Sequence, residues 1–202
     1  MKLITVPASP FGRKVRVVAA EKGLTDNIEI VPDNPWKPDT RVPELNPVGK
    51  VPVLVTDDNV VLYDSTVISE YLDSLQPRNR LYPEAGMARW IALRRQQLAD
   101  HLLDAFVAVR LERNRPAGEQ SPGWIERQRA VVRRCVDAME AEVPQFGGPV
   151  TIGHIASAVA LGHLDFRRAA GDPDWREGHP GLAAWHAEFA GRPAMTSTVP
   201  HD

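Results

Sequence analysis

A chain of 202 residues, 43% hydrophobic and 25% charged, has room for one large folded domain or two small ones and does not have a disordered composition. Its formal net charge of −2 gives no electrostatic case for nucleic acid or for an anionic membrane, and no apolar run reaches the roughly eighteen residues of a membrane span. The single cysteine, Cys135, rules out an intrachain disulfide and a thiolate metal cluster, and no metal is expected. The chain opens directly on a strand pattern without a basic-then-apolar leader, so the expected location is cytoplasmic.

Lys2-Leu3-Ile4-Thr5-Val6 is a short β-rich run ended by Pro7. Ser9 followed by Pro10 reads as N-cap and first residue of a helix whose apolar stripe is Val15, Val18 and Ala19, with Gly23 as its stop. Ile28-Glu29-Ile30-Val31 is a second strand. Residues 32–45 are polar and proline-rich and read as a loop with one short helix. Val53-Leu54-Val55 and Val60-Val61-Leu62 are two strands joined by the hairpin signal Asp57-Asp58-Asn59. Val67, Ile68, Tyr71, Leu72 and Leu75 then mark one face of a helix. The order β-α-β, β-β-α predicts a mixed four-stranded sheet with helices packed on it. After a turn-rich linker with Pro77 and Pro83, the pattern is helical almost to the end. Helices are expected from about Met87 to about Arg113, from Ser121-Pro122 through the Cys135 face, from Thr151 through Ala170, and from Pro180 to about Ala190. Cys135 falls on the apolar side of its helix and reads as a buried structural thiol.

The run Asn46-Pro47-Val48-Gly49-Lys50-Val51-Pro52-Val53-Leu54 carries more information than any other. Proline cannot donate to a sheet ladder, so Pro52 belongs at the start of its strand, and X-Pro bonds are the peptide bonds that become cis at little cost. A cis Val51-Pro52 bond would turn the Val51 amide and carbonyl outward, where an extended peptide could pair with them. Tyr63-Asp64-Ser65-Thr66 then opens a helix with a fixed negative charge beside a row of unpaired amides, a pair of features suited to an ammonium and a carboxylate. Together with Ser9-Pro10-Phe11-Gly12-Arg13-Lys14-Val15-Arg16, these motifs resemble the glutathione S-transferase family over nearly the whole chain. The likeness is to small bacterial members with a serine at the end of the first strand.

The resemblance implies a thioredoxin-like βαβ-ββα domain (residues 1–76), a linker (77–84) and an all-helical domain (85–202) lining the site of a hydrophobic electrophile. It implies glutathione as co-substrate, a homodimer, and a role in detoxification. It makes Ser9 the thiolate-stabilising residue and Val51 the backbone partner of the cysteinyl unit. Asp64 and Ser65 hold the γ-glutamyl end, and Lys37 meets the glycyl carboxylate. Asp64 stands where the family commonly has the longer Glu. A second departure lies in the third helix of the helical domain, where His154 replaces the acid of a Ser/Thr-x-x-Asp capping box after Thr151. The expected result is a helix start weaker by up to about 1 kcal/mol.

The chemistry asked of Ser9 is modest. Lowering a thiol pKa from about 8.5 by two units requires favouring the thiolate by about 2.7 kcal/mol. A hydroxyl hydrogen bond to a charged acceptor supplies roughly 1.5–3 kcal/mol, and the positive end of a helix roughly 0.3–1 kcal/mol more. A serine also cannot form a mixed disulfide, which favours conjugation over disulfide exchange. The reading is therefore a glutathione transferase. The alternatives are a non-catalytic glutathione- or ligand-binding protein of the same fold and a glutathione-dependent peroxidase.

Overall fold

Strand β1 (Lys2–Thr5) is one of the two interior strands of a mixed sheet with strand order β2-β1-β3-β4. Strand β2 (Glu29–Pro32) runs parallel to it, Lys2 opposite Glu29 and Thr5 opposite Pro32. On the other side β3 (Val53–Val55) runs antiparallel, with Ile4 opposite Val53, and β4 (Val61–Leu62) closes the sheet as an edge strand with Leu62 opposite Leu54. This computed structural model describes residues 1–169 and 172–202. Leu3, Val53 and Leu54 are fully buried, and the short helix α2 (Val42–Leu45) brings Val42 against Ile4 and Val53.

Helix α1 (Pro10–Glu21) buries the expected Val15, Val18 and Ala19, with Val17 as well. Gly23, at φ +67°, takes the left-handed conformation that ends it. Helix α3 (Ser65–Ser74) packs on α1, but its buried face is narrower than the apolar pattern suggested. Ile68 and Leu72 are fully buried, together with the small Ser65 and Ser69, whereas Val67 and Leu75 are 47% and 39% exposed. The far ends of α1 and α3 are tied by a buried ion pair, Lys22 Nζ to Asp73 Oδ1 at 2.9 Å. The Lys22 ammonium also donates to the carbonyls of Gln76 and Arg78, and Asp73 accepts from the amides of Leu81 and Tyr82. Most of the segment expected as a linker is thus fastened to this buried charge pair.

Residues 1–86 and 192–202 form one compact unit, and residues 87–191 form a second. The sequence reading carried the helical domain to residue 202. The last segment instead belongs with the sheet, because Arg13 donates to the Met195 carbonyl (3.2 Å) and Arg192 makes a two-pronged pair with Glu21 (2.9 Å each). This segment includes a four-residue helix, α8 (Pro193–Thr196), that the sequence reading did not find.

The second unit contains α4 (Gly86–Arg113), α5 (Pro122–Glu142), α6 (Ile152–Phe166) and α7 (Pro180–Ala190). Residues 152–161 of α6 are buried without interruption, the mark of a helix enclosed on all sides. Gly153 permits this enclosure: a Cβ there would lie 2.7 Å from Arg95 Cβ and 3.0 Å from the Ala92 carbonyl oxygen. Helix α6 ends at Phe166, earlier than the expected Ala170, which lies outside the described residues. Cys135 is buried on α5, and burial pushes its thiol pKa up.

Candidate functional site

No hydrogen bond or ion pair among the described residues joins Lys37 to the other expected site residues, but the strand registers bring Ser9, Val51, Asp64 and Ser65 to one edge of the sheet. Strands β1 and β2 both end there, and the loop carrying Lys37 follows β2. Continuing the β1–β3 register past Ile4 and Val53 sets Val51 level with Val6, shortly before Ser9. Continuing the β3–β4 register past Leu54 and Leu62 sets Asp64 level with Pro52. Two helices, α1 and α3, start at this same edge, with Ser9 and Asp64 as their N-caps. The carboxyl edge of parallel strands under helix N-termini is where open α/β sheets hold ligands.

Ser9 has extended backbone angles (φ −73°, ψ 121°), its N–H donates to the Val6 carbonyl at 3.0 Å, and it is only 8% exposed. Its Oγ accepts from the Gly12 amide at 3.1 Å. That cap uses a lone pair of the oxygen and leaves the hydroxyl proton to donate. Gly12 itself was not singled out from the sequence. A Cβ on Gly12 would lie 2.0 Å from Thr5 Oγ1 and 3.3 Å from Ser9 Cβ, so the residue has to be glycine for β1 and α1 to approach this closely. Thr5 Oγ1 is buried in the same packing, with no hydrogen-bond partner among the described residues.

The Val51-Pro52 bond is cis, the form the sequence left open, and the β1–β3 ladder begins two residues later at Val53. The turn before it is organised by Asn46, 3% exposed, whose Nδ2 donates to the Lys50 carbonyl (2.8 Å) and whose Oδ1 accepts from the Val48 amide (3.0 Å). Gly49, at φ +67°, completes this turn. Asn46 is thus a positioning residue for the Val51 backbone. Its only sequence signal was an Asn before Pro-x-Gly, a pattern common to many turns.

Asp64 is exposed and joined to Tyr63 by a second cis bond; its Oδ1 accepts from the Thr66 amide at 2.9 Å. Ser65 is buried at the first turn of α3. Lys37 is exposed in the loop after β2, next to Trp36, which is 71% exposed. This loop is held by Asp33, whose carboxylate accepts from Thr40 Oγ1 (2.7 Å) and the Arg41 amide (3.0 Å). Behind Ser9, Arg16 donates to the Pro7 carbonyl, and burial, with Arg16 nearby, lowers the Arg13 pKa to about 10. Arg13 therefore remains a cation at neutral pH. Among the described residues no cluster of His, Cys, Asp and Glu is placed to hold a metal ion, and no helix is long and apolar enough to cross a membrane.

A mixed four-stranded thioredoxin-like sheet, two N-capped helices over its carboxyl edge and a helical second unit together make up the glutathione S-transferase fold. Residues 8–75 match the glutathione S-transferase N-terminal domain and residues 122–188 the C-terminal domain, and the chain belongs to this family. It is similar to a glutathione transferase family member from Pseudomonas fluorescens Pf-5 solved with bound glutathione. The identity is 40%, the coverage 100% of this chain and 99% of that one, and the TM-score 0.94. A glutathione S-transferase from Methylobacillus flagellatus KT, solved with glutathione bound, is 36% identical over 99% of both chains, with a TM-score of 0.92. The uncharacterized GST-like protein YibF of Escherichia coli K12 is 33% identical, covering 99% of this chain and 98% of that one.

Proposed function

We propose that the chain is a glutathione transferase in which Ser9 stabilises the glutathione thiolate for attack on an electrophilic small molecule. The observation that carries this reading is the Ser9 cap: Oγ is held by the Gly12 amide, so its proton can be directed to a sulfur at the N-terminus of α1. The glutathione-bound relatives, similar over the full chain, support the co-substrate. The Val51 backbone would pair with the cysteinyl unit as an added strand. Asp64 takes the γ-glutamyl ammonium with its carboxylate. Ser65 and the first amides of α3 take the γ-glutamyl carboxylate, and Lys37 meets the glycyl carboxylate. The hydrogen bond from Ser9 and the end of α1 favour the charged form of the thiol; the thiol proton leaves to solvent, and the thiolate sulfur either displaces a leaving-group anion from the electrophilic carbon or adds to an activated double bond whose electron pair then takes a proton from solvent. With no thiol at position 9, no mixed disulfide with the protein arises there.

The same surface supports a homodimer. Strand β4 is a sheet edge, and Val60 (52% exposed), Tyr63 (38%) and Val67 (47%) leave apolar area uncovered along it and on α3.

The test is Ser9→Ala, assayed for turnover over a panel of electrophiles and peroxides and, separately, for glutathione affinity. Turnover is expected to fall by about tenfold to a hundredfold with affinity nearly unchanged, the loss of one hydrogen bond to a charged group. Equal turnover in the variant would refute the role of Ser9. A wild type that binds glutathione and turns over nothing would show a binding protein of the same fold.

A further inference from the structure

The start of helix α6 is closed by a side chain that titrates. His154 Nδ1 accepts from the Thr151 amide at 2.9 Å, and the Thr151 hydroxyl lies 3.0 Å from the same nitrogen, so one lone pair serves two donors. His154 is 4% exposed, and its Nε2 has no hydrogen-bond partner among the described residues. The ring stands edge-on to Phe146 with centroids 5.4 Å apart, and Phe146 in turn meets Trp185 of α7 at 4.9 Å. The imidazole thus holds both ends of residues 146–151, Thr151 through a hydrogen bond and Phe146 through ring packing. Between these ties residues 147–149 are exposed, and Gly148, at φ +87°, carries the bend.

The charges facing the ring disfavour a proton on it. The Arg95 guanidinium of α4 lies over the Phe146 ring, 4.5 Å from its centroid, and donates to the Gln145 carbonyl at 3.2 Å. The carboxylate acting on His154 is that of Glu142, at the end of α5, and it is already paired with Arg94 and Arg95. From α7 the ring meets Trp185, while His179 and His186 are directed to Asp137 and to the Ala158 carbonyl. The positive end of α6 adds to the field of Arg95. A proton on Nδ1 would deprive both Thr151 donors of their acceptor and place a buried cation at that end. Burial, and then Arg95, accordingly hold the imidazole neutral down to about pH 4.

We propose that His154 is an acid-released latch: the neutral ring fastens residues 146–151 to the first turn of α6, and protonation lets this segment and that turn open while the rest of the helical unit stays folded. Opening uncovers Phe146, Ile152 and Ile155, all buried in the closed form. A carboxylate in the same place would stay charged in mild acid and hold the cap, so the device belongs to the histidine. It does not rest on the glutathione site, because no residue of the sheet edge takes part in it.

The test is amide hydrogen exchange of the full chain at pH 7 and pH 5, corrected for the intrinsic pH dependence of exchange, in wild type, His154→Asp and His154→Gln. The imidazole titrates near 6.5 when open and near 4 when closed, so the opening equilibrium of amides 151–155 is expected to rise about twentyfold from pH 7 to pH 5. Both variants supply an oxygen acceptor that keeps its charge over this range, and each is expected to abolish the rise; His154→Gln serves if a buried aspartate prevents folding. The amides of Gly181 and Leu182, held by the Glu140 carboxylate at the start of α7, are the reference and are expected to stay unchanged. Equal opening at the two pH values in wild type would overturn the proposal, as would the same rise in a folded variant. A rise shared equally by amides 181 and 182 would also overturn it, because acid would then unfold the whole unit rather than release a latch.

Discussion

The contact between Thr5 and Gly12 sets how closely α1 approaches β1, and so where Ser9 is held. Gly12→Ala places a methyl group 2.0 Å from Thr5 Oγ1 and is expected to destabilise the fold by about 1–3 kcal/mol, the usual range for overpacking. Adding Thr5→Ala should recover most of that loss in urea denaturation; no recovery would place the strain elsewhere. His154 gives a pH dependence of its own. Its Nδ1 accepts from the Thr151 amide at 2.9 Å, in the role of the acid it replaces, so a neutral imidazole completes the capping box. Burial, and then Arg95, lowers its pKa from 6.5 to about 4, against an opposing pull from Glu142. The unfolded chain binds this proton first. The His154 contribution to stability is therefore complete above about pH 6.5 and falls by up to about 1.4 kcal/mol per unit between pH 6.5 and 4. His179 acts in the opposite sense: burial alone would lower its pKa, but Asp137 and the Trp175 carbonyl hold it above the ordinary value. The difference between wild type and His154→Gln isolates His154, and unfolding curves that stay parallel from pH 7 to pH 5 would contradict the assignment.

The Lys22–Asp73 pair joins α1, α3 and residues 76–82 at the end of the sheet opposite Ser9. Both side chains are almost fully buried (0% and 2% exposed), so removing one partner leaves an uncompensated charge in the interior. Lys22→Met is expected to cost about 3–5 kcal/mol in urea denaturation, and a loss below about 1 kcal/mol would show that the amides of Leu81 and Tyr82 satisfy Asp73 alone. This pair also marks the limit of what was legible in the sequence. Strands β1 and β3, helix α1 and the start of α7 announce themselves locally, through β-branched runs, Ser-Pro and His-Pro starts and glycine stops. Lys22 and Asp73 look like ordinary surface residues until the fold brings them together. Helix α8 was missed for the same reason: its four residues have no periodicity, and they are held by Arg13 and Arg192 contacts that span most of the chain. On α3, the apolar pattern was wider than the buried face: Val67 and Leu75 carry apolar side chains but are 47% and 39% exposed.

At the scale of the whole chain, the α/β unit and the helical unit were legible in the order of elements, while the assignment of residues 192–202 was not. The exposed Val60, Tyr63 and Val67 belong to the first unit, and Met87 and Trp90 (70% and 64% exposed) to the second. A homodimer that covers such residues should sediment as a dimer at micromolar concentration, and Tyr63→Glu should shift it towards monomer; a wild-type monomer would contradict the assembly. The candidate site was legible because its motifs are local: an N-cap serine, a Val-Pro strand start and an acidic cap on the next helix. Asn46 and Gly12, which position those motifs, became visible only once the chain was folded. The central claim is the activation of a thiol by Ser9, and its most direct test is the ultraviolet difference spectrum of protein-bound glutathione across pH, with Ser9→Ala alongside. The account predicts a thiolate band with a midpoint about two units below the free thiol value of about 8.5, lost in the variant. A bound glutathione that ionises at its free value in the wild type would contradict it.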